Sequence, residues 1–160
     1  RLAPARLLAD LPRLEALLDK RRAELASDAP PLRLVGRRYR RTNNSWMHNC
    51  PTLPRDEDRC TLLLHPTDAE ARDVTEGQRV TLRVGPRTLE VVAEISDEVR
   101  PGVVCLPHGW GHQRPGTRLR RAAERPGVSV NDLLDAERVD PVAGTTVLTG
   151  MAVELYVNAK

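Results

Sequence analysis

Phenylalanine is absent from this sequence, and the other aromatics are few: Trp46, Trp110 and two tyrosines. An interior without phenylalanine must be filled by leucine, valine, isoleucine and alanine, so a tryptophan lying in a loop stands out. Cysteine is equally scarce. Cys50, Cys60 and Cys105 lie far apart with no C-x-x-C pair, which argues against a zinc ribbon, an iron–sulfur site or a disulfide-dense scaffold and leaves buried thiols as the expected state. No run approaches the about 18 apolar residues that would span a membrane, and the start lacks the apolar stretch of a signal peptide, so a soluble piece is expected, cytoplasmic because nothing indicates export, with a periplasmic one as the alternative. There is no G-x-S-x-G elbow, Walker loop or G-x-G-x-x-G, and no carboxylate pair at a spacing suited to acid/base work. The balance of 25 Lys+Arg against 22 Asp+Glu is too even to demand a nucleic-acid partner.

What is present fits one domain with a leader. The 160 residues, 40% of them apolar, can bury one core. The chain starts at Arg1 rather than at a Met, and its first thirty residues read like the tail of something preceding. The expected division is therefore a linker and amphipathic helix over 1–30, then a barrel domain over 31–160. Leu7, Leu11, Leu14, Leu18 and Leu25 recur at helical spacing. With Asp10 placed to cap and Pro12 in the first turn, they predict a helix over 11–26 that needs a partner surface. Ala29, Pro30 and Pro31 end it.

Beyond the boundary, short strands dominate. Leu32–Gly36 and Thr61–Leu64 read as strands, and Pro66 opens one short helix. Val80, Leu82 and Val84, then Leu89, Val91, Ala93 and Ile95, alternate with polar residues about a Gly85-Pro86 turn, which is a hairpin pattern. Pro101-Gly102 suits a type II turn before a strand at Val103–Leu106, and Met151–Val157 would close the structure. Many short strands and little helix imply a β-barrel-like core. Residues 107–118 and most of 126–146 carry too much glycine and proline for regular elements, and long loops usually serve function.

The densest polar cluster, Arg33 to Asn49, follows the first strand. Its arginine forks suit phosphate oxygens, Gly36 permits close approach to the backbone, and its amides and hydroxyls can read heterocycle edges, which together is the chemistry of a nucleotide-like ligand. A solvated basic turn is the plain alternative. A second cluster, Pro107-His108-Gly109-Trp110-Gly111-His112, places two imidazoles and an indole on one loop. It could wrap a planar group, contribute to a zinc site with His48 and Cys50, or simply pack Trp110 over the barrel end. Asn131 is a further candidate, or an ordinary exposed amide. The chain offers a binding surface with no evident catalytic engine.

These clusters, in this order, resemble the C-terminal molybdopterin dinucleotide-binding domain of the molybdopterin oxidoreductases, the family of formate dehydrogenases, nitrate reductases and dimethyl sulfoxide reductase. The resemblance covers about residues 31 to 157. It rests on Leu34-Val35-Gly36-Arg37-Arg38, Thr42-Asn43-Asn44-Ser45-Trp46-Met47-His48-Asn49, His65-Pro66-Thr67-Asp68-Ala69, Pro101-Gly102-Val103-Val104, the His108–His112 loop, Asn131 and Asp140-Pro141.

The resemblance implies a mainly β fold, a double-psi β-barrel with one or two short helices. It implies that the barrel closes over a bis(molybdopterin guanine dinucleotide) cofactor carrying molybdenum or tungsten, held largely by upstream domains of the same polypeptide, where a [4Fe-4S] cluster would also lie. The cofactor-binding residues it suggests are Gly36, Arg37, Arg38, Thr42, Asn43, Ser45, His48, Asn49, His108, Gly109 and Asn131, with no catalytic residue and no metal ligand in this chain.

Two departures are informative. Arg72-Asp73-Val74 stands where the family often has glycine, and aspartate tolerates the left-handed backbone such a turn needs. Ala143-Gly144-Thr145-Thr146 lacks the serine or lysine of related chains, so no contact is carried over there. The rival readings are a stand-alone β-barrel module for nucleic acid or a protein partner, and a small enzyme on the same barrel.

Overall fold

The computed structural model describes residues 3–28, 30–51 and 59–157. Ala29 and Arg1, to which the sequence assigned a helix end and a fragment start, lie outside the described residues. The chain divides into two compact units, Arg1–Pro31 with Asp135–Val147, and Leu32–Leu134 with Leu148–Lys160.

The larger unit holds six strands: β1 (Leu32–Arg37), β2 (Thr61–Leu64), β3 (Arg79–Val84), β4 (Arg87–Ile95), β5 (Val103–Pro107) and β6 (Met151–Val157). They form a closed barrel in the order β1-β5-β2-β4-β3-β6. The pairs β1/β5 and β2/β4 are parallel and the rest antiparallel. Neither parallel pair is consecutive in the chain, so each needs a long crossover, and the result is a double-psi β-barrel, as the resemblance implied.

Side-chain alternation explains which strands form which wall. Val80 and Leu82 on β3, Leu89, Val91 and Ala93 on β4, and Met151 and Val153 on β6 point inward, and their mostly polar neighbours point out. The β2 and β5 strands are continuous apolar runs because both their faces are covered. Leu62, Leu64, Val104 and Leu106 fill the barrel, and Leu63, Cys105, Val99 and Val35 pack outside it. Each fully buried leucine stabilises the fold by about 2 kcal/mol.

The turns follow their residues. Gly85 (φ 58°) precedes Pro86 between paired Val84 and Arg87, matching a type II′ hairpin. Gly102 (φ 79°) completes the type II turn, with the Val103 amide donating to the Arg100 carbonyl at 3.0 Å. A short helix, α3 (Pro66–Glu70), runs into a turn at Asp73, whose φ of 54° is the left-handed conformation expected of it. Two short elements complete this unit, α4 (Arg120–Ala123) and a 3-10 turn at Val130–Leu133. The cysteines correct one expectation: Cys60 and Cys105 are buried, but Cys50 is only half-buried.

In the smaller unit, α1 (Ala5–Leu8) precedes α2 (Leu11–Leu25). The helix is where its spacing predicts, yet it buries no residue: Leu11, Leu14 and Leu18 remain 48%, 53% and 48% exposed. Asp10 also departs from expectation. Its side chain makes no capping bond, because the Arg13 guanidinium one turn on donates to both carboxylate oxygens. Arg13 also reaches Asp140 at 3.4 Å, and the Asp140 carboxylate accepts from the Val142 and Ala143 amides.

Candidate functional site

Parallel pairing of β1 with β5 puts Arg37 opposite Pro107. Both strands therefore release their chains at the same end of the barrel, and the two polar clusters of the sequence emerge side by side. Three contacts stitch them together. The His108 amide donates to the Arg37 carbonyl at 2.9 Å. Gly109 (φ 88°) comes so close to the facing loop that a Cβ there would stand 1.6 Å from the Asn44 carbonyl oxygen. His48 Nδ1 lies 2.7 Å from His112 Nε2.

A third segment joins the same end. The Gly111 and His112 amides donate to the Pro126 carbonyl at 2.7 and 3.1 Å. A Cβ at Gly111 would lie 2.7 Å from Ser129 Cβ, and one at Gly127 would lie 2.7 Å from the Trp110 ring. Only glycine permits approaches this close. Asn131 sits in the 3-10 turn just beyond Ser129, its side chain exposed. Beside it, Gly111, Arg114, Ser129 and Asp132 line a groove of about 350 Å³, with Arg114 paired to Asp132.

The expected site residues divide by what their side chains already do. Arg37 turns onto the barrel wall, donating to the carbonyl and hydroxyl of Thr61 (both 3.2 Å), with Glu94 at 3.9 Å and the Tyr39 ring beneath it. Thr42 bonds its own loop through the Tyr39 carbonyl. Asn49 reaches 72 residues along the sequence, its Oδ1 accepting from the Arg121 amide at 3.1 Å and also from the Ala122 amide, so it caps α4. The close approach foreseen at Gly36 is made by the His108 ring, 2.2 Å from where a Cβ would stand.

Arg38 and Asn43 present exposed side chains, and Ser45 lies half-buried between them and Trp46. Asn43 and Asn44 both take left-handed backbone (φ 44° and 66°), which turns the loop back on itself and suits asparagine. Trp46, at the loop tip, is 81% exposed.

His112 and Trp110, absent from the cofactor-binding set that the resemblance suggests, form the centre of this end. Their rings and that of His48 meet with centroids 4.3 Å (His48–Trp110) and 4.9 Å (His48–His112) apart. Burial holds both imidazoles below their ordinary pKa, and for His48 the facing His112 adds to the effect, opposed by the Gly109 backbone. His48 Nε2 and Trp110 Nε1 are buried with no hydrogen-bond partner among the described residues. Unpaired buried polar atoms are costly, and in a native fold each calls for an explanation. Among the described residues, no three His, Cys, Asp or Glu side chains converge to hold a metal ion.

Comparison with known proteins identifies what this arrangement is similar to. The family described as "Molydopterin dinucleotide binding domain" matches residues 32–152. ArrA, which is the molybdopterin-containing part of arsenate respiratory reductase from Chrysiogenes arsenatis, is 31% identical over 123 residues, which cover 72% of this chain and 14% of that one. A tetrathionate reductase chain from Salmonella typhimurium is 29% identical over 143 residues, covering 81% and 14% respectively. The chain thus spans about a seventh of the length of these relatives. Acetylene hydratase from Pelobacter acetylenicus shares the fold, with a TM-score of 0.60 at 20% identity over 80% of this chain and 18% of its own.

Proposed function

The chain belongs to the molybdopterin dinucleotide-binding domain family, and on that premise we propose that its loop-bearing barrel end binds and helps enclose a bis(molybdopterin guanine dinucleotide) cofactor, with molybdenum or tungsten, as the C-terminal domain of a larger oxidoreductase of the formate dehydrogenase and nitrate reductase type. One observation carries the reading: the parallel β1/β5 pairing delivers the Arg38–Asn49 loop and the His108–His112 loop to one place. The donor set there fits such a group. It offers a guanidinium, exposed amides, a hydroxyl, a loop tip folded by two left-handed asparagines, and two buried ring nitrogens without a hydrogen-bond partner among the described residues.

In this reading Arg38 meets phosphate oxygens, and Asn43, Ser45 and Asn131 donate to or accept from the heterocycle and its linkers. Gly36, with His108 seated on it, and Gly109 form the backbone floor. Arg37, Thr42, His48 and Asn49 shape that floor through their bonds within the protein. The bound cofactor would supply the redox chemistry, while these residues hold and orient it and exclude water. Both curated relatives are named as parts of reductases, which supports an oxidoreductase as the whole protein; the leader over 1–30 would then join this domain, 31–160, to the part that precedes it.

The test is the pterin and metal content of the native protein. Pterin released on denaturation, together with molybdenum or tungsten, is the expected result, and Asn43→Ala should lower both by about tenfold, the loss of roughly one charge-assisted or buried hydrogen bond. A native protein free of pterin and of both metals sinks the reading.

A further inference from the structure

The His48–His112 contact joins two loops that no secondary structure links. Across 2.7 Å, one proton must lie between Nδ1 of His48 and Nε2 of His112, carried by either ring. Two neutral imidazoles satisfy this with one donor and one acceptor. A further proton enters at an outer nitrogen and keeps the bridge but makes a buried cation, and a proton on each ring leaves two N–H groups facing each other, which is repulsive in a buried site. His112 is only 7% exposed, and charging His48 would bury a cation favoured, among the described residues, only by the neutral Gly109 backbone.

Among the described residues, the surroundings supply no counter-ion. The ionisable groups on the packed segments are Arg41 and Cys50 on the His48 loop, His108 and Arg114 on the His112 loop, and Arg118, Arg120, Arg121, Glu124 and Arg125 before, on and after α4. Arg114 is paired with Asp132, and Arg121 donates to the Pro51 carbonyl. Neither imidazole bonds or ion-pairs with any of them among the described residues. The other atoms nearby are neutral: the Trp110 ring, the Gly109 backbone and the Pro126 carbonyl that takes the His112 amide.

We propose that His48 and His112 are positioning residues forming a proton-released clasp, which holds the Thr42–Asn49 loop against the His108–His112 loop at neutral pH and frees it in acid. The functional consequence, control of the ligand grip, rests on the cofactor reading above; the clasp itself does not. The sign follows from burial. A released imidazole takes up its proton near about pH 6.5, and the clasped pair does so lower. The contribution of the clasp is therefore full above about pH 6.5 and is lost as the pH falls below it.

Hydrogen exchange by mass spectrometry on the native protein tests this at about pH 7.5 and about pH 5, with rates corrected for intrinsic exchange. The expected result is a loss of protection of at least about tenfold at the lower pH, confined to peptides spanning 42–50 and 107–113, with β2 and β4 unchanged. His112→Gln, whose amide can mimic Nε2 but cannot titrate, should keep the protection at both pH values. His48→Asn, mimicking Nδ1, is the second variant should the first fail to fold. Protection in the wild type that is flat with pH overturns the clasp, as does a variant that follows pH like the wild type. Pterin content on the same samples separates the two readings. Pterin-free protein that still loses protection in acid keeps the clasp and removes the cofactor, and pterin-bearing protein with flat exchange does the reverse.

Discussion

The barrel wall and the loop end are built from the same short chain on opposite terms. The wall is apolar and redundant: Leu62, Leu64, Val80, Leu82, Ala93, Val104 and Leu106 are all fully buried, and most of the bonds between strands are between backbone groups. The loop end has almost no apolar core. It is held by one imidazole contact, by glycines that admit a neighbouring backbone or ring, and by side chains such as Asn49 and Arg37 that bond across long sequence distances. The wall therefore sets stability, and the loop end sets shape and ligand fit. Two imidazoles without a counter-ion and two ring nitrogens without a partner among the described residues are tolerable only because the wall supplies the margin.

That contrast can be broken at its strongest point first. Leu62→Ala removes a fully buried side chain from the barrel interior and should cost about 3 kcal/mol, read as a lower denaturation midpoint with an unchanged slope. A cost below about 1 kcal/mol would mean that the wall is not the main source of stability. The two tryptophans sharpen the comparison within the loop end. Trp110 packs against His48 and Gly127, and Trp110→Ala should cost about 2 kcal/mol. Trp46 is exposed, so Trp46→Ala should change stability by less than about 0.5 kcal/mol. Equal costs at the two positions would contradict the packing described. The smallest effect is expected in the other unit. Asp10 makes no cap, and its carboxyl is held below the usual range by the Arg13 hydrogen bond. Asp10→Ala should leave helicity by circular dichroism unchanged, whereas a clear drop would restore the capping role that the sequence suggested.

Much of the wall was readable from the sequence because burial on one face imposes a period of two. β2 and β6 fall where their apolar patterns end, and the Gly85-Pro86 and Pro101-Gly102 turns take the conformations their residues prefer. Asp73 accepting the left-handed backbone in place of glycine was readable for the same local reason. α4 was not. Arg120–Ala123 is four residues long with no cap of its own, and the oxygen that satisfies its first amides comes from Asn49. The Asp10 cap failed because a neighbouring arginine competed for the same carboxylate, a contest that residue preferences do not contain. At the candidate site, residue types singled out two loops that the fold brings together but not what each side chain does within the protein: Arg37, read as a phosphate fork, lies along Thr61 and Tyr39.

By itself, the sequence determined the strands, the turns and the two loops rich in binding chemistry, because alternation, proline, glycine and the left-handed tolerance of asparagine and aspartate act within a few residues. Only the tertiary structure decided that these loops share one end of the barrel and that His48 meets His112 across 64 residues. The parallel register of β1 on β5 puts them there. That register depends on crossovers closing a barrel, and no local pattern encodes such a long-range choice.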